Sequence, residues 1–213
     1  ILTSIDMGRL GRLGLEPAQR YERARPGELI HIDVKKLGRI VRVGHRITGR
    51  AGRGRAGYHV GAGRHGWEFC HVAIDDATRL AYVELLEDEK AITAIGFLRH
   101  AKAFFESHGM TVEAVMTDNG SAYRSTIHAI ACKTLGLKHL RTRPYRPQTN
   151  GKAERFIRTM LGGWAYGAIY RTSHERAQAL DGRLFTYNHR RQHAAINRQT
   201  PIQRLNNLLG TCT

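Results

Sequence analysis

The stretch ELIHIDVKK, residues 28–36, alternates as a β-strand, with Leu29, His31 and Asp33 on one face and Ile30, Ile32 and Val34 on the other. Asp33 therefore points away from the more apolar face. Two further strands, 68–74 and 80–85, flank a tight turn at Asp75, Asp76, Ala77 and Thr78. These aspartates read as turn residues, whose side chains bond nearby backbone amides, rather than as metal ligands. Residues 88–108 read as a helix carrying Ala91, Ile92, Ile95, Leu98, Ala101 and Phe105 on one face. Asp88 and Glu89 suit its positive end and Gly109 stops it. A short buried strand (111–116), a helix (125–135) and a last strand (137–141) follow, then more helices. The order predicts an α/β fold, a mixed five-stranded sheet flanked by helices.

The 213 residues suit one ordinary domain, and 41% hydrophobic content excludes global disorder. No apolar run approaches the ~18 residues of a membrane span, and no secretory pattern is present. The chain starts with Ile rather than Met, which reads as a fragment of a longer protein. Cys70, Cys132 and Cys212 are widely spaced, form no CxxC pair and read as free thiols in a reducing compartment, not as zinc ligands or disulfides. Thirty-four Lys and Arg against 18 Asp and Glu leave a net charge of +16, the footprint of a nucleic-acid binder. The alternative, membrane-surface binding, lacks a basic amphipathic helix with a bulky aromatic face.

Residues 1–26 are basic and broken by Gly and Pro, and read as a linker. From Val34 to Trp67 nine Lys or Arg occur and no acidic residue. The Gly- and Arg-rich part, 44–66, cannot pack a core and reads equally as a solvated loop or as an arm laid on DNA phosphates. Gly52, Gly54 and Gly57 match GxGxxG, but no apolar helix follows, so this is no dinucleotide site.

Acidic side chains in so basic a chain merit a cause. Thr117, Asp118, Asn119 and Gly120 close the fourth strand, which sets Asp118 at the rim where open sheets place their ligands. A plain Asx turn is the other reading. From Gly151 a helix runs with Ala153, Phe156, Ile157, Met160, Leu161 and Trp164 on one face, and Glu154 at its margin. Compensation of the helix dipole is the other reading for Glu154. Arg155 and Arg158 fall on the polar side. With Asp33 these make a three-carboxylate set, costly by mutual repulsion unless a cation intervenes.

Asp33, Asp118 and Glu154, with 35 residues between the last two, resemble the Asp-Asp-Glu (DDE) triad of the retroviral-integrase-like transposases of bacterial insertion sequences. The matching text comprises HIDVKKLGRI (31–40), WEFCHVAIDDATRLAYVE (67–84), MTDNGSAYRS (116–125), RPYRPQTNGKAERF (143–156) and YNHRRQHAAINRQTP (187–201). Gln192 stands where the family pattern has Pro, and Asn197 where it has Gly.

The resemblance implies an RNase H-like fold, divided as 1–26 linker from an upstream DNA-binding region, 27–205 integrase-type catalytic core and 206–213 tail. It implies metal-dependent DNA strand cleavage and strand transfer during transposition, with Asp33, Asp118 and Glu154 holding two Mg²⁺ (or Mn²⁺) ions, Asp33 bridging both. Lys152 would meet phosphate near the cut strand, and Tyr145, Gln148 and Asn150 bases or sugars at the element end. Arg155 and Arg158 would add phosphate contacts. Arg191 and His193 read as DNA contacts or structural caps, and the other histidines lack ligand spacing. The implied partners are element-end and target DNA and further copies of the chain, with no membrane and no small-molecule substrate, in the cytoplasm of a bacterium at its nucleoid. Two rivals stand beside this reading: a non-catalytic DNA-binding remnant, and an RNase H-like nuclease acting on RNA–DNA hybrids.

Overall fold

A computed structural model describes residues 22–41, 66–142 and 150–210. Five strands form one sheet: β1 (Ile30–Gly38), β2 (Trp67–Asp75), β3 (Ala81–Leu86), β4 (Ala114–Thr117) and β5 (Lys138–Arg141). Their order across the sheet is β3-β2-β1-β4-β5. The pairs β1–β2 and β2–β3 are antiparallel, whereas β1–β4 and β4–β5 are parallel. Helices α1 (Ala91–Ser107), α2 (Thr126–Thr134), α3 (Gly151–Met160), α4 (Ser173–Phe185) and α5 (Pro201–Leu209) complete the layers. The expected strand and helix order is the observed one, with ends moved by up to three residues.

The period-two pattern of β1 divides the core. Ile30 and Ile32 join Ala94, Phe97, Leu98 and Phe105 of α1 on one side of the sheet. On the other side Leu37, Val72, Ile74 and Val83 pack against Ala153, Phe156, Ile157 and Met160 of α3, continued by Trp164. Asp33 shares the parity of Leu37 and so belongs to the α3 side. The apolar stripe expected for α3 is the stripe observed. That of α1 is rotated: Ala94, Phe97, Leu98, Ala101 and Phe105 are buried, while Ile92 is 77% exposed. The helix begins at Ala91 behind an N-cap at Lys90, so Asp88 lies outside it and accepts from Lys90 N and Thr93 Oγ1 instead.

The ends of the expected core also shift. Residues 22–26 are not all linker, because Arg23 N donates to Asp76 Oδ2 at 2.6 Å and Arg23 pairs with Glu28. At the other end α5 runs to Leu209, beyond the expected start of the tail. Among the described residues no helix is long and apolar enough to cross a membrane.

Ser125 caps α2, its hydroxyl accepting from His128 N. Ser125→Ala is expected to cost about 1 kcal/mol of stability, the usual loss for an N-cap, measured as a lowered urea midpoint with an unchanged slope.

Candidate active site

The pairing of β1 with β4 sets Ile30 opposite Val115 and His31 opposite Met116. Two residues further along each strand stand Asp33 and Asp118, where β4 has just ended at Thr117 and the strands part. Parallel register thus brings both carboxylates to the point where β1 and β4 part, Asp33 within β1 and Asp118 just past the end of β4. Asp118 is exposed and its Oδ1 accepts from Gly120 N at 2.9 Å, an Asx turn that orients the side chain. A Cβ on Gly120 would come within 3.0 Å of that same oxygen, so the Gly keeps the turn tight. Glu154 projects exposed from the first turn of α3.

Asp33 is half-buried and its Oδ1 accepts from Val34 N at 2.8 Å. Its carboxyl is raised to about 6, first by burial, with the Val34 bond opposing and the charges of Asp118 and Glu154 adding to the rise. Asp118 and Glu154 therefore each lie within electrostatic reach of Asp33. The three do not converge on a single point, since their ligand atoms do not all fall within 4.8 Å. Such an all-oxygen set under mutual repulsion is chemically suited to hard divalent cations. Tyr123 lies close by: burial first, then the charges of Asp33 and Asp118, push its phenol well above the usual range.

A polar network holds α3 against β1. Asp76 is fully buried, and His31 Nε2 approaches its Oδ1 at 2.7 Å, joined there by Lys152 Nζ. His31 Nδ1 lies 3.2 Å from Asn150 Oδ1, and Asn150 Nδ2 donates to Ile32 O. Burial alone would push the Asp76 carboxyl up. The contacts from His31, Lys152 and Arg23 outweigh it and hold the group well below the usual carboxylate range. The neighbouring Asp75 behaves as a turn residue, accepting from Thr78 N and Oγ1, and also from Gly27 N. Asp76 is more than a turn residue, because it joins the start of β1 to the first turn of α3.

Two expected DNA contacts take other roles here. Asn150 is only 3% exposed, bridging His31 and Ile32, so its side chain faces the fold and not a base. Lys152 directs its ammonium to buried Asp76, with a side chain 19% exposed, rather than to the solvent side of α3. Arg155 and Arg158 are exposed, as a phosphate contact requires. Tyr145, Gln148 and the Gly/Arg stretch lie outside the described residues. His193 stands edge-to-face on Tyr187 and pairs with Gln199 across a β-bridge, a structural role. Arg191 is exposed. Asn197 has φ 56°, the left-handed conformation that favours Gly, and Asn tolerates it best among the larger residues.

One cluster is not evident from ligand spacing along the chain. His128, Cys132 and His139 bring one ligand atom each to within 4.8 Å of one another. The available signal is a His and a Cys four residues apart on one helix, followed by a His on the next strand.

The sheet order and the helices on both faces define an RNase H-like fold. The sequence pattern of the integrase core domain matches residues 23–147, and a second pattern of that description matches 135–201. The chain belongs to the integrase core domain family. It is 33% identical over 132 residues to an uncharacterized protein of Caenorhabditis elegans, covering 62% of this chain and 10% of that one. It is 30% identical over 148 residues to a putative integrase of a Spiroplasma virus, covering 63% of this chain and 41% of that one. The chain thus spans less than half the length of either curated relative. Among solved structures, the simian T-cell lymphotropic virus intasome aligns with a TM-score of 0.63 at 20% identity, over 87% of this chain and 56% of that one. The HTLV-2 integrase catalytic core domain, solved in complex with magnesium, aligns with a TM-score of 0.57 at 16% identity, over 86% of this chain and 99% of that one.

Proposed function

We propose that this chain is the catalytic core of a transposase, performing divalent-metal-dependent cleavage and strand transfer of DNA. The observation that carries the proposal is the setting of Asp33: a carboxyl raised to about 6 by burial, with Asp118 and Glu154 adding to the rise. Family membership supplies the reaction class, a polynucleotidyl transfer. Asp33, Asp118 and Glu154 would hold the divalent ions, two Mg²⁺ or Mn²⁺. Bound there, the ions would supply Lewis-acid activation of the attacking oxygen and neutralise charge on the leaving oxygen.

The protein's own contribution is placement. The parallel register of β1 and β4 sets Asp33 beside Asp118, and the Asp76 network fixes the start of α3 and hence Glu154. No side-chain nucleophile takes part, since water or a DNA 3′-hydroxyl attacks phosphorus directly. The partners are DNA, both element ends and target duplex, and further copies of this chain assembled on it.

The test is strand transfer of labelled duplexes carrying the element ends into a plasmid, with Mg²⁺. Joined products are expected. Degradation of RNA–DNA hybrid without joining would favour a nuclease, and binding without any cleavage a non-catalytic remnant.

Phosphate contacts are proposed for Arg155 and Arg158. Removing both, as Arg155→Gln with Arg158→Gln, is expected to reduce the slope of log affinity against log salt by about 0.9 for each duplex phosphate no longer neutralised. A slope equal to the parent's would remove these arginines from the interface.

A further inference from the structure

We propose that His128, Cys132 and His139 form a zinc site, separate from the carboxylates, that pins α2 to the edge strand β5. Cys132 Sγ lies 3.6 Å from His128 Nδ1. Ligands at about 2.3 Å (sulfur) and 2.0–2.1 Å (nitrogen) around a tetrahedral ion stand ~3.6 Å apart, so this pair already has the required spacing. One ligand atom of His139 lies within 4.8 Å of both, a distance that a side-chain adjustment on an edge strand closes. The His128 and His139 rings are 4.9 Å apart, centre to centre.

His139 is oriented for a cation. Thr117 Oγ1 donates to Asp118 O at 2.9 Å, so the hydroxyl accepts from His139 Nε2, also at 2.9 Å. That bond fixes the His139 tautomer and leaves one ring nitrogen with a lone pair, the second-layer support that metal-binding imidazoles ordinarily have. His128 Nε2 is buried without a hydrogen-bond partner, so no neighbouring group fixes the tautomer of that ring. Burial raises the Cys132 thiol to about 11, and an ion would displace its proton.

The set is two imidazoles and one thiol, which selects a borderline-soft ion over Mg²⁺. His139 is only half-buried, so the site opens to solvent on the β5 side, leaving a fourth position for water. Thr117 and Asp118 directly adjoin it. An ion here would brace the strand end that presents Asp118.

Co²⁺ and then Zn²⁺ added to chelator-stripped protein provide the test. One equivalent of Co²⁺ is expected to give a thiolate-to-cobalt charge-transfer band with tetrahedral visible absorption, bleached by one equivalent of Zn²⁺. Zn²⁺ should also raise the unfolding temperature. Cys132→Ser should lose both the band and the rise. Cys70→Ser, Cys212→Ser and the triple variant Asp33→Asn, Asp118→Asn, Glu154→Gln should keep both. Should Cys132→Ser fail to fold, His139→Gln, at the half-buried ligand, must weaken Zn²⁺ binding and shift the visible bands. Absence of the band in the parent would leave a hydrogen-bonded His–Cys–His group only and overturn the proposal. So would a band that persists in Cys132→Ser, or one unchanged by His139→Gln.

Discussion

Strand transfer is expected to fall by roughly 10²–10³-fold or more in each of Asp33→Asn, Asp118→Asn and Glu154→Gln, because each removes an oxygen ligand worth several kcal/mol to the charged transition state. Folding should survive all three. Asp118 and Glu154 are exposed, and their substitutions leave the core packing untouched. Asp33 is raised to about 6 in the fold against 3.8 for an ordinary carboxyl. Its contribution to stability is therefore fully present below about pH 4 and lost as pH rises through about 6. At neutral pH, in chelator, Asp33→Asn should thus be no less stable than the parent. Circular dichroism and chemical unfolding separate the two readouts. A folded variant of any of the three with parental activity would remove that residue from the site.

Asp76→Ala is expected to have the opposite signature, a large loss of stability from a fully buried residue. It would leave the Lys152 ammonium, His31 and the Arg23 amide facing a buried gap. Breaking a buried charge pair by removing one partner typically costs about 3–5 kcal/mol. The sign with pH follows from the depressed carboxyl. Its stabilisation is present above the ordinary carboxylate range and is lost as pH falls below about 4 towards the folded value. Urea unfolding of parent and variant at pH 7 and pH 3 measures both effects, and the gap between the proteins should narrow at the lower pH. A loss below about 1 kcal/mol at pH 7 would show that the network does not hold α3. Activity should drop with stability, since Glu154 sits two residues beyond Lys152.

Local signals carry most of the fold. The alternation of β1 and the stripe of α3 each place a face correctly, because burial on one side imposes the period directly. The stripe of α1 is harder to place, since Ile92 and Ile95 extend the apolar run into a turn that solvent reaches. Asp33, Asp118 and Glu154 are legible as candidates because each has a readable local pattern: the alternation of β1, the end of β4 and the first turn of α3. Asp76 is not, because the partners that make it central are 45 and 76 residues away in the chain. Asn150 reads as an outward-facing residue for the same reason: its partner His31 is 119 residues distant. Long-range polar networks leave no periodic trace in a sequence.

Thermal unfolding during a Mg²⁺ titration probes the carboxylates directly, since Mg²⁺ is indifferent to imidazole and thiol. At about 100 times the dissociation constant, one bound ion adds roughly 2.7 kcal/mol, or ~5–10 °C for a domain of this size. The parent should show that rise, and the triple variant Asp33→Asn, Asp118→Asn, Glu154→Gln should show none. An equal rise in both proteins, or no rise in the parent, would contradict a divalent-metal site at Asp33, Asp118 and Glu154.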